Sequence, residues 1–469
     1  MQRHFLNVLL DSRRTARERE SHASSSHVRS LLGALVPALF GLGAALLPLP
    51  SAGALTFVDA ADTGTPVPGP SGTFSSFGTA AITDSIAVFS GVPQGIYASY
   101  ATTSEIVWIS NLASTATLVP PPTFAFPLTS FGPPSTDGSV LAFSALDSNG
   151  GSNLLIVRFN PTTGVPGVET FAAWSGSLAP GGSTFSSIGN PSLSGFDAAF
   201  RASTGTGNGL FVIATNAVNG SMVFESRLVA IGDPAPGAGT TFTGFGNPSL
   251  FGNTLVFTAT TADGASGIYQ VTFDTSTGLA SSTTQLVRTG DPAPGGGTFS
   301  FLGDPLIDDS GKVFFFASTS AGRSGIFSAF WNGSSTVLQT AVDTNTLIPG
   351  GSGTFALFGN FSVNDGAVAF AGAGLGGTHQ GIFYLASDAN LSSIIDVGDT
   401  LFGKSIVDLQ FGNDALGTGS LDFVGQFADR SFAVVRADFG AATAPEPATL
   451  ALLGFGLAGL VFSRRSRKQ

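Results

Sequence analysis

At 469 residues the chain is long enough for one large all-β domain or two to three ordinary ones, and its 63 glycines and 42 phenylalanines point to strands, tight turns and an aromatic core. It contains no cysteine, which excludes disulfides, thiolate zinc sites and cysteine nucleophiles together. Six arginines against three acids precede residue 55 and four bases close the tail, so residues 55–463 hold 9 basic and 27 acidic residues, a net charge of −18 that excludes electrostatic attraction to nucleic acid or anionic lipid and leaves cations or neutral glycans as partners.

The first recognisable element is an export signal. Arg29 precedes the apolar run LLGALVPALFGLGAALLPLP, and Ser51 leads into Ala52-Gly53-Ala54. A positive flank, an apolar core and a small-x-small site form a secretory signal peptide, with cleavage expected after Ala54 and the Sec translocon as the partner. Pro37, Pro48 and Pro50 weigh against a retained continuous helix. Residues 1–54 are therefore read as a signal peptide with a long n-region.

Residues 55–440 repeat themselves. The clearest copies are GDPAPGAGTTFTGFGNPSLFGNTLVF (232–257) and GDPAPGGGTFSFLGDPLIDDSGKVFF (290–315). One glycine marks each copy, at Gly78, Gly132, Gly189, Gly246, Gly303, Gly359 and Gly412, with successive spacings of 54, 57, 57, 57, 56 and 53. Eleven residues after every marker stands a phenylalanine: Phe89, Phe143, Phe200, Phe257, Phe314, Phe370 and Phe423. These are expected to form the repeat core.

Each copy reads as four short strands, in the fifth roughly FLGDPLID, KVFFFAS, GIFSAFW and TVLQTAVD. Seven such copies predict an all-β fold, a seven-bladed β-propeller of about 57-residue four-stranded repeats. An open β-solenoid is the rival reading. The seventh copy stops after its third strand, SFAVVRADF, and the stretch LTFVDAADTGTPVPG (55–69) resembles TVLQTAVDTNTLIPG (336–350). The N-terminal strand is therefore expected to complete the last blade and close the ring. The NDGAVAF stretch (364–370) and the GDPAPG turns also resemble bacterial tandem-repeat proteins with an NxxGxxAF pattern, a resemblance that implies no particular chemistry.

Several motifs invite chemistry that their context does not support. Gly398–Ser405 matches the phosphate-loop pattern GxxxxGKS, but IVDLQFGND follows as strand where a helix must open. GAGLGG (372–377) precedes GIFYLA, again a strand, and GFGLAG (454–459) lies in the apolar tail. His379 is the only histidine after residue 54, so neither a histidine-rich metal site nor a serine triad away from it can be built. Asp233, Asp291 and Asp399 recur in the GDPAPG-type turns, where a carboxylate caps turn backbone. No cofactor is called for; the loose Ca²⁺ candidates are Asp304, Asp308 and Asp309, and Asp147 with Asn149. Trp108, Trp174 and Trp331 suit the core better than sugar stacking.

The C-terminal segment, residues 441–469, has three parts. Pro445-Glu446-Pro447 is followed by the apolar stretch Ala448–Phe462 and then by Arg464, Arg465, Arg467 and Lys468. A helix over 448–462 would span about 22 Å, short of a roughly 30 Å hydrocarbon core, with snorkelling arginines and local thinning closing part of the gap. The basic cluster should stay cytoplasmic, which puts Pro-Glu-Pro on the outer side of the inner membrane with the exported body.

This tail closely resembles the PEP-CTERM sorting signal of Gram-negative bacteria. The resemblance implies recognition through Pro445, Glu446 and Pro447, a stop-transfer cluster at Arg464, Arg465, Arg467 and Lys468, and cutting near the motif by an exosortase, a membrane cysteine transpeptidase, in hosts that make exopolysaccharide. An unprocessed C-terminal anchor is the plainer alternative. The function expected is a non-enzymatic envelope or matrix propeller, tethered in the periplasm and then passed to the cell surface. Its partners would be exopolysaccharide or other surface glycans, not nucleic acid. An extracellular carbohydrate-active hydrolase or lyase using carboxylates is the alternative.

Overall fold

Seven four-stranded antiparallel units need seven aromatic layers between them, and that is how the chain folds. The computed structural model describes residues 55–68, 72–83, 86–100, 106–111, 127–160, 166–217 and 219–439. The expected signal peptide, the helix over 448–462, the Pro-Glu-Pro motif and the basic cluster lie outside these residues. Among the described residues no helix is long and apolar enough to cross a membrane.

Seven separate sheets form the blades, and in the first six the strands run from inner to outer in sequence order. Blade 4 shows the pattern: Thr240–Phe245 with Ser249–Phe251 innermost, then Thr254–Thr261, Ser266–Phe273 and Ala280–Arg288. In the fifth copy the strands are Phe299–Ile307, Val313–Thr319, Ser324–Trp331 and Thr336–Asp343, within two residues of the sequence reading. Inner hairpins turn in as little as two residues. Asp365-Gly366, with φ of 47° and 77°, supplies the left-handed pair that such a turn needs in blade 6.

The ring closes as the sequence predicts. Thr56–Asp62 pairs antiparallel with Phe432–Asp438, from Thr56 opposite Asp438 to Asp62 opposite Ala433, and becomes the outer strand of blade 7. The propeller stands, and the solenoid reading falls.

An aromatic triad fills most blades. In blade 4, Phe242 of the inner strand meets Tyr269 edge-on at 4.9 Å, and Phe257 stacks on Tyr269 at 5.8 Å. Phe74, Phe89 and Tyr97 repeat this in blade 1, Phe185, Phe200 and Phe211 in blade 3, and Phe355, Phe370 and Phe383 in blade 6. All seven phenylalanines eleven residues past the markers are buried, at 1% exposure or less. Blade 5 differs in detail. Its first hairpin is one residue longer, pairing Ile307 with Val313, so Phe315 joins the triad with Phe299 and Phe327 while Phe314 turns toward blade 6.

Candidate functional site: the central channel

The marker glycines build the inner wall. In blade 3, Ile188 pairs with Ala202 and Pro191 with Phe200, so Gly189 and Asn190 together oppose the single residue Arg201. This is a β-bulge, and bulges re-aim side chains. The same break falls at Gly303-Asp304 in blade 5, Gly359-Asn360 in blade 6 and Gly78-Thr79 in blade 1. At every marker but Gly303 a side chain would be crowded: a Cβ on Gly189 would sit 3.1 Å from the Arg201 carbonyl oxygen, and one on Gly132 2.7 Å from the Asn190 side chain of the next blade. Glycine at the bulge thus lets the inner strand lie flat and turns the next residue toward the axis.

Those next residues are Thr79, Pro133, Asn190, Asn247, Asp304, Asn360 and Asn413, one from each blade. Six of the seven line a cavity of about 170 Å³ to which all seven inner strands contribute. Hydrogen bonds fix three of the amides. Asn190 Oδ1 accepts from the Ser144 hydroxyl at 2.7 Å, Asn247 Nδ2 donates to Asp304 Oδ2 at 3.1 Å, and Asn360 Nδ2 donates to the Phe411 carbonyl at 3.3 Å.

Behind this ring, serines stitch blade to blade. Ser135 Oγ accepts the Leu193 N–H at 2.9 Å, Ser192 Oγ that of Leu250 at 3.0 Å, Ser249 Oγ that of Ile307 at 3.1 Å, and Ser362 Oγ that of Leu416 at 3.0 Å. From blade 5 to blade 6, Asp308 Oδ2 accepts the Gly366 N–H at 2.8 Å. At the closure, the Ile82 N–H donates to the Asp414 carbonyl at 2.8 Å. The recurring GNPSL segment is thereby explained: asparagine faces the channel and serine ties the ring.

Toward the inner hairpins the channel opens into a second chamber of about 250 Å³, with Asp137, Asp308, Asp309 and Asp414 in its wall. Burial pushes the Asp414 carboxyl up to about 6, helped by nearby Asp137 and opposed by hydrogen bonds from the Ser135 hydroxyl and the Thr136 N–H.

The Ca²⁺ candidates are not brought together as a ligand set. Asp308 Oδ1 accepts from Ser310 and Lys312 N–H groups at 3.0 and 2.9 Å, and its other oxygen is the blade 6 stitch. Asp309 Oδ1 holds the Asp365 N–H at 2.8 Å, while Asp304 is engaged with Asn247. Asp147 caps its own turn through the Asn149 and Gly151 N–H groups, both at 2.9 Å. Among the described residues, no cluster of three or more histidine, aspartate or glutamate side chains could hold a metal ion.

Asp233, Asp291 and Asp399 each accept a backbone N–H three residues earlier, from Ala230 at 2.8 Å, Arg288 at 2.7 Å and Asp396 at 2.9 Å. The phosphate-loop match folds as the hairpin of Thr400–Leu401 with Lys404–Gln410, and GAGLGG as a strand end and one 3₁₀ turn. His379 is exposed in a loop, at φ 49°. Trp174 and Trp331 pack, half-buried, against blade cores.

A ring-closed repeat propeller joined to a sorting tail is the class of protein these features define, and residues 443–468 match the PEP-CTERM protein-sorting motif. That motif implies export, membrane-anchored sorting in a Gram-negative bacterium and processing by exosortase. Residues 50–411 match the family of unknown function DUF7453, and the chain belongs to that family. No curated protein matches the sequence. Among solved structures, the β-propeller domain of the Trilobed protease from Pyrococcus furiosus is similar at 9% identity and a TM-score of 0.47, over 79% of this chain and 97% of that one. A polysaccharide lyase of family PL25, an ulvan lyase, is similar at 11% identity and a TM-score of 0.39, over 77% and 91%. YCF48 from Cyanidioschyzon merolae is similar at 10% identity and a TM-score of 0.37, over 81% and 98%.

Proposed function

We propose that this chain is an exosortase-sorted cell-envelope or matrix protein whose propeller is a non-enzymatic binding and structural module, linked to the exopolysaccharide of its host. The observation that carries this reading is the sorting motif at 443–468, placed just after the last propeller strand ends at Asp438. The body first stands in the periplasm, tethered through the apolar tail, and then passes to the surface. Its strongly acidic composition and its amide-lined channel favour neutral, hydroxyl-rich partners.

The test replaces Pro445, Glu446 and Pro447 with alanine and follows the protein on intact cells. The native chain should reach the surface without its basic tail, and the variant should stay in the inner membrane with the tail attached. Equal surface display of both would contradict sorting through this motif.

One observation supports the second reading, a carboxylate hydrolase or lyase acting on glycans. Asp414, held up to about 6 in the channel wall, is suited to act as a general acid near neutral pH. Cleavage of a glycan that is abolished by Asp414→Asn with the fold intact would favour it.

A further inference from the structure

Repeats report function where they are broken, because the fold explains only what every blade shares. Two residues before each marker, the inner strands carry Ser76, Ser130, Ser187 and Gly244 in blades 1 to 4, and Gln410 in blade 7. Blades 5 and 6 carry Phe301 and Leu357 instead, 53% and 61% exposed. Most phenylalanines among the described residues serve a core; Phe196, Phe251, Phe330 and Phe402 are exposed but less so than Phe301. Phe301 only leans on Phe316, with ring centroids 6.2 Å apart. On the same strands, three residues further on, stand Asn360, which lines the channel cavity, and Asp304, which holds the Asn247 side chain.

By departure from the repeat, the inner strands of blades 5 and 6 thus carry an exposed apolar strip in the strand segment just before the amide ring; the strip itself does not line the 170 Å³ cavity. Each amide can donate and accept, and the single bonds that fix Asn190, Asn247 and Asn360 leave further donors or acceptors for a ligand. Paired hydroxyl groups match that mixture, the C–H face of a pyranose matches an exposed aromatic ring, and a cavity of about 170 Å³ admits a single sugar unit or chain end but not a folded polypeptide. The negative field of the body disfavours uronate or sulfate groups.

We infer that the channel mouth at blades 5 and 6 is a binding site for the end of a neutral glycan, with Phe301 as stacking platform and Asn247, Asn360 and Asn413 as hydroxyl partners. The inference rests on reading the propeller as a binding module and adds the ligand class and the residues.

The test is calorimetric titration of the full chain, held in a detergent without sugar head groups, with cellopentaose, maltopentaose and an oligogalacturonate. At least one neutral oligosaccharide should bind and the uronate should not. Phe301→Ser, which installs the residue of blades 1 to 3 at an exposed position, should weaken binding about tenfold with an unchanged melting temperature. Asn360→Ala should weaken it by a similar factor, and Lys404→Ala, at the start of the blade 7 inner strand and paired with Asp429 and Ser431, should leave it unchanged. No binding of either neutral oligosaccharide, binding indifferent to Phe301→Ser and Asn360→Ala, or preference for the uronate would each overturn the inference. None of these outcomes touches tail processing, which is read separately from the Pro-Glu-Pro variant on cells.

Discussion

Blade 4 and blade 7 solve the same packing problem with different means. Blade 4 is contiguous, carries the full aromatic triad, and turns Val256 toward blade 5. Blade 7 is assembled from both ends of the propeller and lacks the triad, with Val435 opposite Phe423 where Tyr269 faces Phe257 in blade 4. The position of Val256 is filled there by Asp422, which is fully buried, and neither of its carboxyl oxygens accepts a hydrogen bond.

Arg436 stands directly opposite Asp422 on one side and Val58 of the closing strand on the other. It donates from Nη2 to Ser420 Oγ at 3.0 Å and from Nε to Asp438 Oδ1 at 2.7 Å. The repeat supplies apolar cores where neighbouring strands are consecutive. At the junction where two distant segments must find each other, a buried arginine and a carboxyl that burial holds protonated replace part of that core, which fits a role in fixing register more than in adding stability.

The most severe way to break the comparison is to delete residues 56–62. Blade 7 then loses its outer strand, and the ring should lose more than about 5 kcal/mol, on the scale of a whole domain's stability. Denaturant unfolding monitored by tryptophan fluorescence would show a lost or broadened transition.

In blade 4, Phe257→Ala should cost about 3–5 kcal/mol through the cavity left between blades 3 and 4. Urea unfolding measures it. A cost near 1 kcal/mol would mean that the triad is not the blade core.

In blade 7, Arg436→Leu should cost about 2–3 kcal/mol at pH 7 because Ser420 and Asp438 lose their guanidinium partner, whereas Arg436→Leu combined with Asp422→Val should be neutral or stabilising. The pH dependence sharpens the point. Burial pushes the Asp422 carboxyl from an ordinary 3.8 up to about 8, against the attraction of Arg436 and with the repulsion of Asp438. The folded chain therefore keeps a proton that the unfolded chain releases. Stability from this site is full below about pH 4 and is lost as pH rises toward about 8. Asp422→Asn should flatten that part of the profile, so its advantage over the native chain should grow from pH 4 to pH 8.

The smallest effect expected is Ser249→Ala, which leaves the buried Ile307 N–H without its partner in blade 4 and should cost about 1–3 kcal/mol. The effect should be additive with that of Asp422→Asn, since the two lie in separate junctions.

Much of the ring was legible in the sequence because its signals are periodic. The marker glycines, the phenylalanines eleven residues on and the likeness of 55–69 to 336–350 encode blade number and closure in the sequence itself. What stayed hidden works across blades. Ser135 and Leu193 lie 58 residues apart, and nothing local distinguishes a stitching serine from a turn serine. Asn190 follows a glycine and so resembles a turn, whereas the bulge makes it a channel wall. Phe314 shows the limit of counting, since one extra hairpin residue moves the stacking role to Phe315. Asp422 was visible as a letter, but its meaning depends on burial.

Sorting through the tail is read most directly by peptide mass spectrometry of the protein recovered from its own cells, mapping both ends. The mature chain should start at Leu55, one residue before the closing strand, and end near Pro445–Pro447. Recovery of intact RRSRKQ on most molecules would contradict it.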